Sequence, residues 1–121
     1  MKKLSDNISY LESSDNPLSA EVVMIKRKKI TIFYDCGASD EAYKFITNCK
    51  DNKIVILSHF HADHAKNAFR LNVPIYCSKY TLKKIPKGML YENGEDFKIY
   101  DFNSFNFAFF IFLSLPLHFL Y

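Results

Sequence analysis

Residues 58–65 read Ser-His-Phe-His-Ala-Asp-His-Ala, and this stretch carries most of the information about fold and function. It places three of the chain's four histidines and one aspartate within six positions. Imidazole nitrogens and carboxylate oxygens are the ligands that zinc and similar divalent cations take in proteins. The stretch therefore predicts a metal site with the ligands His59, His61, Asp63 and His64.

The residues before the motif predict a buried strand. Residues 53–58 read Lys-Ile-Val-Ile-Leu-Ser, with four consecutive apolar residues that are mostly β-branched. Such a run is typical of a strand that is buried on both faces. Small and apolar residues at helical spacing follow from position 65 onward, so Asp63 and His64 are expected at the start of a helix.

This placement predicts how the ligands divide between two ions. His59 and His61, two positions apart on an extended loop, can converge on one ion. Asp63 and His64, at a turning helix start, can point at a second ion beside it. Two ions about 3.5–4 Å apart would clamp a hydrolytic transition state and lower the pKa of a bridging water. Asp63 could also take a proton from that water, which makes it the candidate catalytic residue.

The motif His-x-His-x-Asp-His after a buried strand resembles the metallo-β-lactamase fold superfamily of metallohydrolases. Upstream, residues 30–37 (Ile-Thr-Ile-Phe-Tyr-Asp-Cys-Gly) resemble an earlier strand of that family, which ends in an aspartate followed closely by a glycine. The resemblance implies that Asp35 lies near the metal site and orients it. It also implies that the metal is zinc, as one or two ions in the parent family.

The resemblance extends over about residues 20–102. Residues 74–78 (Pro-Ile-Tyr-Cys-Ser) and Thr81 are similar to a segment of the nuclease branches, including the Artemis-like DNA-repair nucleases. The implied fold is α/β, half of a four-layer αβ/βα sandwich in which helices pack on a mixed sheet. The implied activity is metal-dependent hydrolysis. The resemblance leaves two substrate classes open, a small molecule and a nucleic acid. If the bond that is cleaved is the phosphodiester of a nucleic acid, the protein would be a phosphodiesterase or nuclease.

The paired histidines also occur in two unrelated folds. Amidohydrolase barrels place His-x-His after an early strand, and cupins place it on a strand. Neither fold needs an Asp-His doublet two residues later. The remaining alternative is that these histidines lie at the surface or in the core and hold no metal.

The length of 121 residues predicts an incomplete site. The family's fold needs roughly 200 residues or more, in two halves with the site between them. The resemblance implies three later ligands, namely a third histidine, a bridging aspartate and a last histidine. His118 has a plausible spacing for the first of these and is a possible further metal ligand. The alternative function is a non-catalytic fragment or pseudoenzyme with a partial metal site.

The sequence predicts three segments. Residues 1–18 are a polar N-terminal segment, residues 19–102 are the metallohydrolase half, and residues 103–121 are an apolar, aromatic tail without a charged residue. The tail could be a truncated core strand, out-of-frame sequence, or a short membrane-facing segment. Pro116 and the absence of a positive flank weaken the membrane alternative, so no membrane partner is expected.

Local patterns predict the remaining elements. Residues 21–26 and 29–34 are strand-like runs with a short polar break, which indicates a β-hairpin. Residues 40–50 have the periodicity of an amphipathic helix, with Ser39 as its N-cap. A short helix is predicted over residues 81–85 and a strand over residues 97–102.

The three cysteines are Cys36, Cys49 and Cys77. Their odd number and the lack of a secretory signal predict free thiols in a reducing compartment, and hence a cytoplasmic protein. A thiolate ligand at Cys36 is conceivable because it follows Asp35, but a small buried residue is the preferred interpretation. Self-association through an uncovered sheet face is a further expectation for half a fold.

Overall fold

The computed structural model describes residues 1–85 and the backbone of residues 99–101. Its elements in chain order are β1 (Lys2–Lys3), β2 (Ile8–Leu11), β3 (Ser14–Asp15), β4 (Leu18–Ser19), β5 (Val22–Lys26), β6 (Thr31–Tyr34), α1 (Asp40–Thr47), β7 (Lys53–Ile56), α2 (Ala62–Ala65), a 3₁₀ turn (Lys66–Phe69), β8 (Ile75–Cys77), α3 (Lys79–Lys84) and β9 (Ile99–Asp101). The tail at residues 103–121, including His118, lies outside the described residues.

Seven strands form one mixed sheet in the order β1-β2-β5-β6-β7-β8-β9. In this order, neighbours among β1, β2, β5 and β6 pair antiparallel, and neighbours from β6 to β9 pair parallel. The predicted hairpin is confirmed, because β5 and β6 pair antiparallel with Val23 opposite Tyr34. The ribbon of β3 and β4 stands apart from this sheet.

The main core lies on the face of the sheet that the helices cover. Strands β6, β7 and β8 are neighbours in chain order, and right-handed crossovers between such strands put the connecting segments on one face. Phe33, Val55 and Ile75 from the strands are buried there with Ile46 of α1 and Phe69 of the 3₁₀ turn. Burying each such side chain stabilises the fold by roughly 1.5–3 kcal/mol.

A smaller cluster of four buried residues lies apart from the main core: Ile30, Ile32, Ile54 and Tyr76. Along β7, Ile54 belongs to this small cluster and Val55 to the main core, and both are at most 1% exposed. The prediction of a strand buried on both faces is therefore confirmed, although β7 ends at Ile56, two residues before the predicted end at residue 58.

Helix α1 begins as its sequence predicts. The Ser39 hydroxyl accepts a hydrogen bond from the Ala42 N–H at 3.0 Å, so Ser39 is the N-cap. The helix ends at Thr47, three residues before the predicted end at residue 50. It ends early because the chain must turn within a few residues to enter β7 at Lys53.

The first strands differ from expectation. Residues 1–18 have no predicted strand, yet β1 and β2 lengthen the sheet and β2 pairs antiparallel with β5. This segment is therefore structurally continuous with the sheet. Within residues 1–85 and 99–101, no helix has the length and apolar character needed to span a bilayer.

Candidate metal centre

The predicted site residues follow the carboxyl ends of two neighbouring strands. Asp35 comes directly after β6, and Ser58 comes two residues after β7. Because these strands are parallel neighbours, their ends meet at one edge of the sheet. We call residues 35–39 the buried turn and residues 58–61 the histidine loop. The Asp35 N–H donates to the Ile56 carbonyl at 2.7 Å and so joins the buried turn to the end of β7.

The buried turn has an uncommon backbone conformation. Asp35 has a φ of 62° and Gly37 a φ of 66°, both in the left-handed region. Aspartate is one of the few non-glycine residues that adopt this region routinely, at a cost of roughly 1–2 kcal/mol. Asp35 is only 4% exposed, so its carboxylate needs partners inside the protein.

The Asp35 carboxylate has three such partners. The Ser58 N–H donates to Oδ1 at 2.7 Å, and the Ser58 hydroxyl donates to Oδ2 at 2.7 Å. The His64 Nδ1 atom lies 2.8 Å from the same Oδ2. Because a carboxylate can only accept, His64 carries a proton on Nδ1 and donates it. Asp35 thus joins the histidine loop to α2.

Backbone hydrogen bonds fix α2 as well. The His64 carbonyl accepts from the N–H groups of Cys36 and Gly37 at 3.0 and 3.1 Å. The Asp63 carbonyl accepts from the Ala20 N–H at 2.9 Å. A helix of four residues is too short to be stable by itself. These tertiary contacts therefore hold Asp63 and His64 in place, at the helix start that the sequence predicts.

The structure brings the predicted ligand side chains together. The His59 ring lies 4.1 Å from the His64 ring and 4.7 Å from the His61 ring, between centroids. The Asp63 Oδ2 atom lies 3.4 Å from the His64 Nε2 atom. His59 and His64 are half-buried and His61 is exposed, so the cluster is open to solvent.

Among the described residues, the predicted ligands supply one measured pair of donor atoms, Asp63 Oδ2 and His64 Nε2. In the described part of the chain, no group of three or more His, Cys, Asp or Glu side chains is arranged to hold a metal ion. The Asp63–His64 pair nevertheless fits zinc in chemistry and distance. Two ligands at 2.0–2.2 Å on a tetrahedral ion stand roughly 3.4 Å from each other.

Cys36 does not contribute a thiolate. Its side chain is fully buried, and its Sγ atom lies 3.5 Å from the His64 carbonyl oxygen. Burial raises the pKa of the Cys36 thiol far above its usual range, and the nearby Asp35 charge raises it further. The thiol therefore stays neutral, and the preferred interpretation of a small buried residue is confirmed.

Two residues of this region have roles that the sequence did not predict. Ser58 joins Asp35 to the His59 ring, and its only sequence signal is a hydroxyl directly before the first histidine. Asn67 is buried in the 3₁₀ turn that follows α2, and its side-chain N–H groups donate to the carbonyls of Cys36 and Ser39, each at 2.9 Å. A single buried asparagine after a histidine motif carries no distinctive sequence signal.

The sequence matches no protein-family model and no curated relative. It is similar to solved structures, one of which is the DIM-1 metallo-β-lactamase exposed to ceftazidime. That match has a TM-score of 0.53 and 20% identity, and it covers 82% of this chain and 49% of that one. A metallo-β-lactamase from Pontibacter korlensis matches with a TM-score of 0.54 and 19% identity, over 85% of this chain and 52% of that one.

At this level of identity the likeness shows the fold. The described chain has about half of the metallo-β-lactamase fold, as a mixed sheet with helices packed on it, and the predicted fold class is confirmed. The chain spans about half the length of the solved structures that it matches, which fits the predicted N-terminal half.

Proposed function

We propose that this chain carries the first part of the metal centre of a metal-dependent hydrolase, with zinc as the metal. His59 and His61 would hold one ion, and Asp63 and His64 would hold the other. The chemistry such an ion supplies is Lewis acidity, which polarises the bond to be cleaved and acidifies water. Asp63 would be the group that accepts a proton. His118 is the candidate for a later ligand.

One observation carries this proposal, the 3.4 Å separation of Asp63 Oδ2 and His64 Nε2. The Nδ1–H group of His64 donates a hydrogen bond to Asp35, so in the neutral ring Nε2 carries a lone pair. Two lone-pair atoms that face each other without a proton between them attract a cation. The partly exposed position of both side chains leaves a cation access from solvent.

A phosphodiester substrate is the finer part of the proposal. Helix α3 presents the exposed side chains of Lys79, Lys83 and Lys84 and contains no acidic residue, which favours an anionic substrate. The nuclease-like pair of Ser78 and Thr81 has a structural role, because the Ser78 hydroxyl caps α3 by accepting from the Thr81 N–H at 3.1 Å. The lysines therefore support a phosphodiester better than that pair does.

The second candidate function is a non-catalytic protein with a partial site. The observation in its favour is that the described residues contain no group of three or more donors arranged to hold a metal ion. Structural zinc sites have four ligands and catalytic sites have three plus water. A pair of donors would bind zinc weakly or not at all.

Zinc binding tests both candidates. We expect elemental analysis after dialysis to find at most one zinc per chain, and titration calorimetry to give weak binding. Asp63→Asn should lower the affinity by at least about tenfold. Asp6→Asn is the matched control, because the Asp6 side chain is fully exposed and remote in sequence. Hydrolysis of a phosphodiester such as bis(p-nitrophenyl) phosphate should stay at trace level.

The outcomes separate the candidates. Affinity that depends on Asp63 and not on Asp6 supports the metal centre. A chain that binds no zinc supports the non-catalytic alternative. Two tightly held ions per monomeric chain would contradict the expectation that two protein ligands per ion are too few for tight binding.

A further inference from the structure

The Ser58 hydroxyl lies between a carboxylate and an imidazole. Its Oγ atom is 2.7 Å from Asp35 Oδ2 and 2.8 Å from the Nδ1 atom of His59. Both distances are those of good hydrogen bonds. Asp35 also binds His64 directly, through the same Oδ2 atom. One buried carboxylate therefore reaches two histidine rings, directly for His64 and through a hydroxyl for His59.

Counting protons gives the direction of each bond. A serine hydroxyl has one hydrogen and can accept on its lone pairs. If that hydrogen pointed at His59, the Ser58 oxygen and the Asp35 carboxylate would face each other as two acceptors at 2.7 Å. The hydrogen is therefore donated to Asp35, and the His59 Nδ1 atom must carry its own proton and donate it to Ser58.

We propose that Ser58 is a positioning residue. Because its hydroxyl donates to Asp35, it can only accept from His59, and it thereby fixes this ring as its Nδ1–H tautomer. The consequence is that His59 and His64 share one tautomer. Both then carry their lone pair on Nε2, in rings whose centroids are 4.1 Å apart. This inference deepens the proposed metal centre and rests on it, because Nε2 is the atom with which each ring would bind a cation.

The hydroxyl can be removed without dismantling the network. Ser58 is exposed, and its backbone N–H keeps the bond to Asp35 Oδ1 in any variant except proline. His64 keeps its direct bond to Asp35. Ser58→Ala therefore isolates the link to His59, and Ser58→Thr restores a hydroxyl at the same position. His64 is an internal control within the same spectrum.

The test is long-range ¹H–¹⁵N NMR of the histidine rings in the metal-free 121-residue chain, at a pH about two units above the usual histidine pKa of about 6.5. We expect the Nδ1–H pattern for His59 and His64 in the wild type. Ser58→Ala should shift His59 alone toward the Nε2–H form, and Ser58→Thr should retain the wild-type pattern. An Nε2–H pattern for His59 in the wild type, or no change in Ser58→Ala, would overturn the inference.

A second measurement separates this inference from the proposed function. Zinc affinity should fall by about tenfold in Ser58→Ala and stay near the wild-type value in Ser58→Thr. If the tautomer shifts as expected while Asp63→Asn leaves zinc binding unchanged, the role of Ser58 is upheld and the proposed metal centre is wrong. If zinc binding depends on Asp63 while the His59 tautomer is the same in Ser58→Ala as in the wild type, the metal centre is upheld and the role of Ser58 is wrong.

Discussion

The buried turn and the histidine loop follow adjacent parallel strands, and they differ in almost every physical respect. In the buried turn, Asp35, Cys36 and Ser39 are each at most 8% exposed. In the histidine loop, Ser58 and His61 are exposed and His59 is half-buried. The candidate ligands lie where solvent can reach them, and the Asp35 carboxylate, to which His64 and Ser58 are hydrogen-bonded, is buried. Substitutions in the buried turn should therefore change stability, and those in the histidine loop should change binding.

The largest loss of stability is expected for Gly37→Ala. An added Cβ would lie 2.6 Å from the Ser19 hydroxyl and 2.8 Å from the Ala42 Cβ atom, at a φ of 66° that alanine disfavours. We expect the free energy of unfolding to fall by about 2–5 kcal/mol. Urea denaturation measures the change. The control is Ala62→Ser, at an exposed position beside the histidine loop. Equal stability of the two variants would show that the buried turn is no more sensitive to substitution than the residues beside the histidine loop.

A smaller loss is expected for Asp35→Ala. This change leaves the Ser58 N–H, the Ser58 hydroxyl and the His64 ring N–H without their acceptor. We expect the free energy of unfolding to fall by about 2–3 kcal/mol. Asp35→Asn should lose less than alanine does, because asparagine tolerates the left-handed region and keeps one acceptor oxygen. Equal destabilisation of the two variants in urea would contradict this expectation, because neither the retained oxygen nor the backbone tolerance of asparagine would then contribute.

The smallest effect on stability is expected for His61→Ala. The side chain is exposed and makes no capping hydrogen bond, although His61 is the N-cap of α2. The free energy of unfolding, measured by thermal denaturation, should change by less than about 0.5 kcal/mol. Zinc affinity should nevertheless fall by at least about tenfold, measured by calorimetry. A stability loss as large as that of Asp35→Ala would instead show that the histidine loop is structural.

The same contrast accounts for what the sequence could predict. Apolar periodicity identifies the hairpin of β5 and β6, strand β7 and helix α1, because burial at these positions follows residue type. The histidine motif identifies the candidate ligands because metal-binding chemistry also follows residue type. The left-handed backbone at Asp35 and the link through Ser58 depend on strand register, which residue types alone do not specify.

Strand β2 illustrates a different limit. Its inward-facing residues are Ser9 and Leu11, at 6% and 8% exposure, and the first of them is polar. The alternation that marks a half-buried strand is therefore broken at its first buried position. Pairing with β5 makes the strand, and that pairing is invisible in the segment's own composition.

The sheet order has a consequence for how the protein is made. From β5 to β9, each strand lies beside the strand that precedes it in the main sheet, so spatial order follows chain order. A chain that emerges from the ribosome can extend its sheet one strand at a time, and none of these strands has to be inserted between two earlier ones. The buried turn is synthesised before the histidine loop, but its hydrogen bonds to Ile56, His64 and Asn67 can form only after those residues have emerged. The buried turn and the histidine loop therefore reach their final conformation together, because each supplies hydrogen-bond partners to the other.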